Sequence, residues 1–545
     1  MILGIGLSLG LQVYRRDGVF FSGEAGLKAL LAQQFSHGQL QASLHIPQPV
    51  WVQTLWRQGL YPFAPPYTYE QQGHYFIRFP FIFSALTAPF YAVMGYSGLY
   101  MVPLVSLWVI WWRFWQICRI WRIRSIVIAL SLGLVILASP LTLYGAMYWE
   151  HTLAVALAFW GLSGLLFHIQ SEASNHRISL NEAMVNGVCI GLSLWLRPEF
   201  FCLVLILGGV MAICFVPSGR LPGKWSVQVP QGLSRKVLIA FAGAMMATVL
   251  GVSWLNWVTY GHPLGIAALQ AAVPKGQRLT QIANNYGHMV MSLLLYFPAI
   301  MIGLVMPWLL QGRARRAGLL LLWVGGLFAI SVPLVVPAAV AAQQWGPRYY
   351  LVLVPMVGLI VAAGLQNLWQ FKPKRWRALA IVSLVLVLGF YANIVNGGLQ
   401  VYRDPLTNSV SLPSRHGPTA PAISALASHD ERWVAMPQQR VAQQLWPSSR
   451  LKTFFRTETA ASLEQLVVAL VNQNESSFLY VCHTERPCSD LRPIKFKHSD
   501  ENNDIIRVHV LFEALGTFSQ YPFYRGLIKT IPVENTDPSV AEEVF

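Results

Sequence analysis

Charge is what this chain has least of. Only 11% of its 545 residues are Asp, Glu, Lys or Arg, under half of the roughly 25% usual in soluble domains. Hydrophobic residues make up 54% and gather in long uncharged runs. A cytosolic enzyme of this size would divide into several domains with charged surfaces; that class is excluded, and the chain reads as an all-α polytopic membrane protein. Acids are scarcer than bases, 23 against 39, for a net charge of +16. No basic helix or aromatic stacking platform separates from the membrane signal, so no nucleic-acid partner is expected. A nucleotide-binding fingerprint is missing as well. Gly4, Gly6 and Gly10 lie in an apolar helix with no strand before them, and Gly6 and Gly10 read as a close helix-packing pair.

Cysteine is sparse, with six residues. Cys118, Cys189, Cys202 and Cys214 fall in apolar runs and read as packing residues. Cys482 and Cys488 lie close together in the tail, where a disulfide and a pair of free thiols both stay open. His483 alone does not complete a zinc site.

A spanning helix needs about 20 mainly apolar residues. Clear candidates cover 99–118, 125–144, 152–169, 200–217, 237–258, 289–310, 317–341, 349–369 and 378–395, with weaker ones at 1–13 and 183–196. The run 79–95 is also apolar but holds Pro80 and Pro89. Four basic clusters set the threading: Arg119 with Arg122 and Arg124, Arg220 with Lys224, Arg235 and Lys236, Arg313 with Arg315 and Arg316, and Lys372 with Lys374, Arg375 and Arg377. All are expected on the cytoplasmic side. They fall there together if 79–95 is interfacial or re-entrant and both weak candidates cross, giving about eleven spans with the N-terminus inside. Arg15 and Arg16, just outside the first span, run against this bias. The opening segment lacks the basic n-region and small-residue cleavage pattern of a signal peptide.

This threading predicts a transmembrane domain over 1–398, with an outer loop 14–98 carrying interfacial helices, and an extracytoplasmic domain over 399–545. The helix expected after Gly23 places Leu27, Leu30, Leu31 and Phe35 opposite Lys28 and Gln33, so it is expected to lie on the bilayer surface. The tail alternates strand-like runs at 433–436, 478–481 and 505–510 with a helix-like run at 462–472, where Ser462 and Gln465 have capping-box spacing. A small α/β domain is expected there.

The nine clear spans contain no Asp, Glu or Lys, and their one arginine, Arg113, reads as snorkelling beside Trp111, Trp112 and Trp115. Ionisable residues gather instead at the outer edge: Asp17, Glu24, Glu70, His74, Arg78, Glu150, His151, Arg197, Glu199, His262 and Arg348. That placement suits a lipid-borne substrate handled at the outer interface. In glycosyl transfer from a polyprenyl phosphate the phosphate already leaves readily, so cations that stabilise it and one carboxylate that takes the acceptor's proton are sufficient. Glycoside hydrolysis would call for a carboxyl pair.

Several stretches occur in a telling order: Asp17-Gly18 with the helix 24–35; Phe79-Pro80 through Ala88-Pro89-Phe90-Tyr91 to Gly95; Ser139-Pro140 followed by Tyr148-Trp149-Glu150-His151-Thr152; Gly187 to Gly191 leading to Leu196-Arg197-Pro198-Glu199; Tyr260-Gly261-His262-Pro263; and Arg348-Tyr349-Tyr350-Leu351. In these, residues 1–400 resemble the GT-C superfamily of multi-spanning glycosyltransferases, particularly the branch of protein O-mannosyltransferases and lipid A aminoarabinose transferases. The resemblance implies an inverting transfer from a polyprenyl-phosphate-linked sugar to a glycan, lipid or protein acceptor outside the plasma membrane. It implies Asp17, the acidic residue of the first loop, as the catalytic base, with Glu24 as the reserve. Arg348, and behind it Arg197 and Arg78, would meet the lipid phosphate. Glu150, His151, Glu199 and Tyr349 complete the expected substrate-binding set. No cofactor is fixed, and a divalent metal stays open. The alternative is a transporter or flippase of lipid-linked glycans.

Overall fold

The computed structural model describes residues 1–14, 23–46, 48–171, 179–215, 234–266, 278–310, 312–335, 346–369, 372–399, 419–484, 488, 493–499 and 505–532. The chain divides into two compact units, each discontinuous in sequence. The first comprises Met1–Arg15 and Phe79–Val401, the second Arg16–Arg78 and Tyr402–Phe545.

The first unit is helical. Among the described residues, four helical runs are long and apolar enough to cross a membrane: Phe81–Ile120, Arg235–Tyr260, Ala314–Val335 and Arg375–Asn396. Their composition makes this an integral membrane protein. A fifth candidate, expected as one span over 289–310, is bent by 85° between Ile282–Tyr296 and Ala299–Leu309. Pro298, which lacks an N–H and clashes with the preceding turn, sits at the bend. Other expected spans are shorter apolar helices, Ile2–Val13 and Leu180–Leu196 among them. The eleven expected spans are therefore not all present as full-length helices among the described residues. The proline-containing run forms the helix Phe81–Met94, which breaks at Gly95 (φ +59°) before Met101–Ile120 begins.

The centre of the first unit is the helix Leu353–Leu368, buried on every side from Leu353 to Leu365. It packs against Ala299–Leu309, Ser125–Leu137 and Gly312–Val335, as an all-apolar helix must. Leu180–Leu196 lies along Arg235–Tyr260 through Gly187, where an added Cβ would stand 2.3 Å from the Phe241 carbonyl oxygen, and Gly191, where it would meet Thr248 Cβ at 2.6 Å. Small residues let helix backbones approach this closely. The packing role expected of Gly6 and Gly10 is not seen, since an added Cβ at either meets nothing within 4 Å; the close neighbour is Gly4, against Ile136 and Trp111. Arg113 does not snorkel. It is 9% exposed, donates from Nε to Ser163 Oγ at 2.7 Å and lies 4.3 Å from the Trp160 ring centroid.

The second unit is α/β. Strands β1 (Thr68–Gln71) and β2 (His74–Ile77) form a hairpin through Gln72 and Gly73, both at positive φ. A six-stranded sheet joins β3 (Trp433–Met436), β4 (Thr453–Arg456), β5 (Ser477–Val481), β6 (Ile494–Ser499), β7 (Ile505–Phe518) and β8 (Tyr521–Pro532) in the order β4-β3-β5-β8-β7-β6. The first three strands are parallel and the rest antiparallel. The N-cap of the crossover helix Ala460–Asn472 lies three residues before the expected one. Thr459 is the N-cap, accepting from Ser462 N–H at 3.2 Å, and Ser462 Oγ accepts from Thr459 N–H at 3.1 Å. Cys482 and Cys488 are joined in a disulfide.

The helix Gly23–Ser36 does not lie on a surface. Lys28 and Gln33, whose polarity suggests a wet face, are 1% and 7% exposed, and both have interaction partners. The helix is held tightly within this unit: an added Cβ on Gly26 would stand 1.7 Å from the carbonyl oxygen of Gln443, in the helix Gln439–Gln444. Further bonds tie the first segment to the last. Trp56 Nε1 donates to the Phe454 carbonyl at 3.3 Å, Ala64 N–H to Gln439 Oε1 at 2.8 Å, and Thr453 Oγ1 to Gln48 Oε1 at 3.0 Å.

Candidate functional site

Six of the expected residues converge in the first unit, and backbone chemistry explains where each stands. Arg197 precedes Pro198, which disfavours helical geometry at that position; its φ and ψ of −144° and 117° close the helix Leu180–Leu196. The chain turns back into helix at Phe200, with the Glu199 carbonyl accepting from Cys202 N–H at 3.1 Å. Glu150 occupies the matching place before His151–Ser171, its carbonyl accepting from Ala154 N–H at 3.0 Å. Each carboxylate thus stands at a helix N-terminus, where the helix dipole favours negative charge.

Both carboxylates meet one guanidinium. Arg197 Nη1 donates to Glu150 Oε1 at 3.1 Å and Arg197 Nε to Glu199 Oε1 at 2.9 Å. Arg348 brings a second guanidinium, donating from Nη2 to the Tyr349 hydroxyl at 2.6 Å. Glu150, Arg197, Glu199 and Arg348 are 1%, 6%, 2% and 5% exposed. Two arginines and two glutamates cancel in formal charge, which is the condition for holding four ions away from water. The Tyr349 ring is shared between the cations, its centroid 4.5 Å from Arg348 Cζ and 5.4 Å from Arg197 Cζ.

The Arg348 segment is pinned at both ends. Gly346, at φ +73°, makes the left-handed turn that leads into it, and the Tyr350 hydroxyl donates to the Ala329 carbonyl at 2.8 Å. His151 lies against the rings of Tyr144, at 5.4 Å, and Trp149, at 5.1 Å. Together His151, Arg197, Glu199, Phe200, Arg348 and Tyr349 line a crevice closed by Val155, Leu351 and Val352. It is too narrow for a water-sized sphere, so a ligand enters only as lining side chains move. Glu199 Oε2 is buried and has no hydrogen-bond partner among the described residues.

The other expected residues stand elsewhere. Asp17 lies outside the described residues. Glu24 and Arg78 belong to the second unit, Glu24 buried in the first turn of Gly23–Ser36 and Arg78 half-buried after β2 with its N–H on the Tyr67 carbonyl at 2.8 Å. No group of three or more His, Cys, Asp or Glu able to hold a metal ion occurs among the described residues. Sequence reasoning passed over Tyr144, Phe200 and the Gly346-Pro347 turn. The Gly-Pro dipeptide is a turn signal that flags the residue after it; the two aromatic positions carry no signal that separates them from ordinary core.

The fold is similar to that of solved ArnT structures. ArnT from Cupriavidus metallidurans bound to undecaprenyl phosphate is 9% identical, covering 96% of this chain and 97% of its own at a TM-score of 0.50. The apo state of the same protein gives 0.51 over the same shares. The oligosaccharyltransferase AglB from Archaeoglobus fulgidus, in complex with an inhibitory peptide and a dolichol-phosphate, is 11% identical over 92% of this chain and 74% of its own; its TM-score of 0.42 is too low to bear on the argument. No family model and no curated protein matches the sequence.

Proposed function

We propose that this protein is a GT-C type glycosyltransferase that moves a sugar from a polyprenyl-phosphate donor to an acceptor on the outer side of the plasma membrane. The observation that carries the reading is the pair of buried guanidiniums, Arg197 and Arg348, beside Tyr349 in one crevice. The likeness over nearly the whole chain to ArnT, whose structure holds undecaprenyl phosphate, supports a lipid phosphate as the anion they meet. Arg348, which lines the crevice against the Tyr349 ring, is the leading contact.

In the reaction the acceptor oxygen attacks the anomeric carbon while the bond from that carbon to the phosphate oxygen breaks. The bonding pair leaves on the polyprenyl phosphate, whose growing charge the arginines stabilise. Asp17 takes the acceptor's proton, and single displacement inverts the anomeric centre. Glu24, buried within its helix, is the reserve. The threading that goes with this reading has about eleven crossings and an extracytoplasmic C-terminal region.

The test is transfer by purified protein. The lipid-linked sugar that accumulates in cells lacking the protein is isolated and supplied as donor. Wild type is expected to release polyprenyl phosphate and glycosylate an acceptor, with Arg348→Ala slower by about 10²–10³-fold and Asp17→Asn inactive. If no lipid-linked sugar accumulates and none is turned over, the reading fails; movement of an intact lipid-linked glycan across vesicles would establish the transporter instead.

A further inference from the structure

The proposed reaction gives Glu199 no part. Glu199 gives Oε1 to Arg197 Nε, whereas Oε2 is buried without a hydrogen-bond donor among the described residues. Glu150 grips the same guanidinium, yet only Glu199 lines the crevice. A carboxylate oxygen removed from water and left without a donor is costly, and nearly all buried polar atoms of folded proteins have a partner. The crevice therefore offers two cations and, beside them, one strong acceptor.

That combination selects between two lipids. A bare polyprenyl phosphate presents almost only acceptor oxygens near neutral pH, and its charge repels Oε2. A polyprenyl phosphoryl sugar presents the same phosphate with hydroxyl or amino donors next to it. We infer that Glu199 is a specificity-determining residue that reads the transferred sugar, with Oε2 accepting a hydrogen bond from a sugar hydroxyl or ammonium while the arginines hold the phosphate. The inference rests on the lipid-phosphate-sugar reading of the site. It also gives the site a reason to release its product, because after transfer the lipid has lost the donor that satisfied Oε2.

Equilibrium binding to the full-length protein in detergent tests this, with undecaprenyl phosphate as one probe and undecaprenyl phosphoryl glucose, mannose and arabinose as the others. Wild type is expected to bind at least one phosphoryl sugar more tightly than undecaprenyl phosphate. Glu199→Gln places an amide N–H₂ at the acceptor position and is expected to cut that preference about ten- to a hundredfold. Glu150→Gln removes the other partner of Arg197 and should weaken both kinds of lipid by a common factor. Should Glu199→Gln not fold, Glu199→Asp keeps the charge, retracts the acceptor and should lose the preference in the same direction. Equal loss for both lipids in the Glu199 variants, or no loss, overturns the inference and leaves the proposed function standing. Failure of wild type to bind any of the four lipids removes both.

Discussion

The two units solve the burial of charge in different ways. In the first, Arg197 and Arg348 sit among helices with carboxylates and one tyrosine as partners, and the local charge sums to zero. In the second, Lys452 is 6% exposed and is answered mainly by backbone, its Nζ donating to the carbonyls of His429 and Glu431. Glu431 in turn pairs with Arg525, whose side chain is 32% exposed. Carbonyls freed at the ends of secondary structure are plentiful in an α/β domain, whereas spanning helices use their own internally. A helical membrane unit must therefore import counter-charge, and it does so where helices begin.

The largest expected effect follows from that difference. Arg197→Met leaves Glu150 and Glu199 buried without their common cation, a loss of about 3–5 kcal/mol, and the detergent-solubilised protein should melt much lower. An unchanged melt would break the comparison. Close packing comes next. Gly187→Val in the first unit and Gly26→Val in the second each drive a side chain into a carbonyl, of Phe241 and Gln443 respectively, at a cost of roughly 1–3 kcal/mol or more. Limited proteolysis should show separate damage, with Gly26→Val opening the second unit while helix packing in the first survives.

Acid sharpens the contrast further. Burial raises the Glu431 carboxyl, but hydrogen bonds from its own backbone N–H and from Arg525 outweigh this and hold it below its ordinary value. A depressed carboxylate stabilises the fold above its unfolded pKa of about 4.3, and that stability is lost as pH falls through the lower folded value. Denaturation of the second unit followed by tryptophan fluorescence should steepen below about pH 4, and Glu431→Gln should flatten the dependence. The smallest effect is at the rim. Arg456 and Glu458 stand 3.7 Å apart with 22% and 55% of their side chains exposed, so Glu458→Gln should shift stability by under about 1 kcal/mol.

Much of this was legible where the sequence carries local chemistry. Pro198 forces Arg197 out of its helix, and Glu150-His151 and Glu199-Phe200 each mark a helix start, so their gathering at one end of the helices follows from the order of turns. The strands at 433–436 and 477–481 declare themselves by apolar runs between turn signals. What escaped detection depends on distant partners. Lys28 and Gln33 look like a solvent face, yet both are buried in the folded unit, and Arg113 looks like an interfacial anchor until Ser163 and Trp160 arrive from a neighbouring helix. Thr459 was passed over as a cap because Ser462, three residues on, offers the same chemistry.

The split of the second unit has a consequence for biosynthesis. The segment ending at Arg78 emerges from the ribosome roughly 300 residues before the tail that completes it, and at about 5–20 residues per second it waits on the order of tens of seconds. Throughout that interval Leu27 and Leu31, fully enclosed in the finished protein, have no lid, so newborn chains should need a holding chaperone there until the final strands arrive.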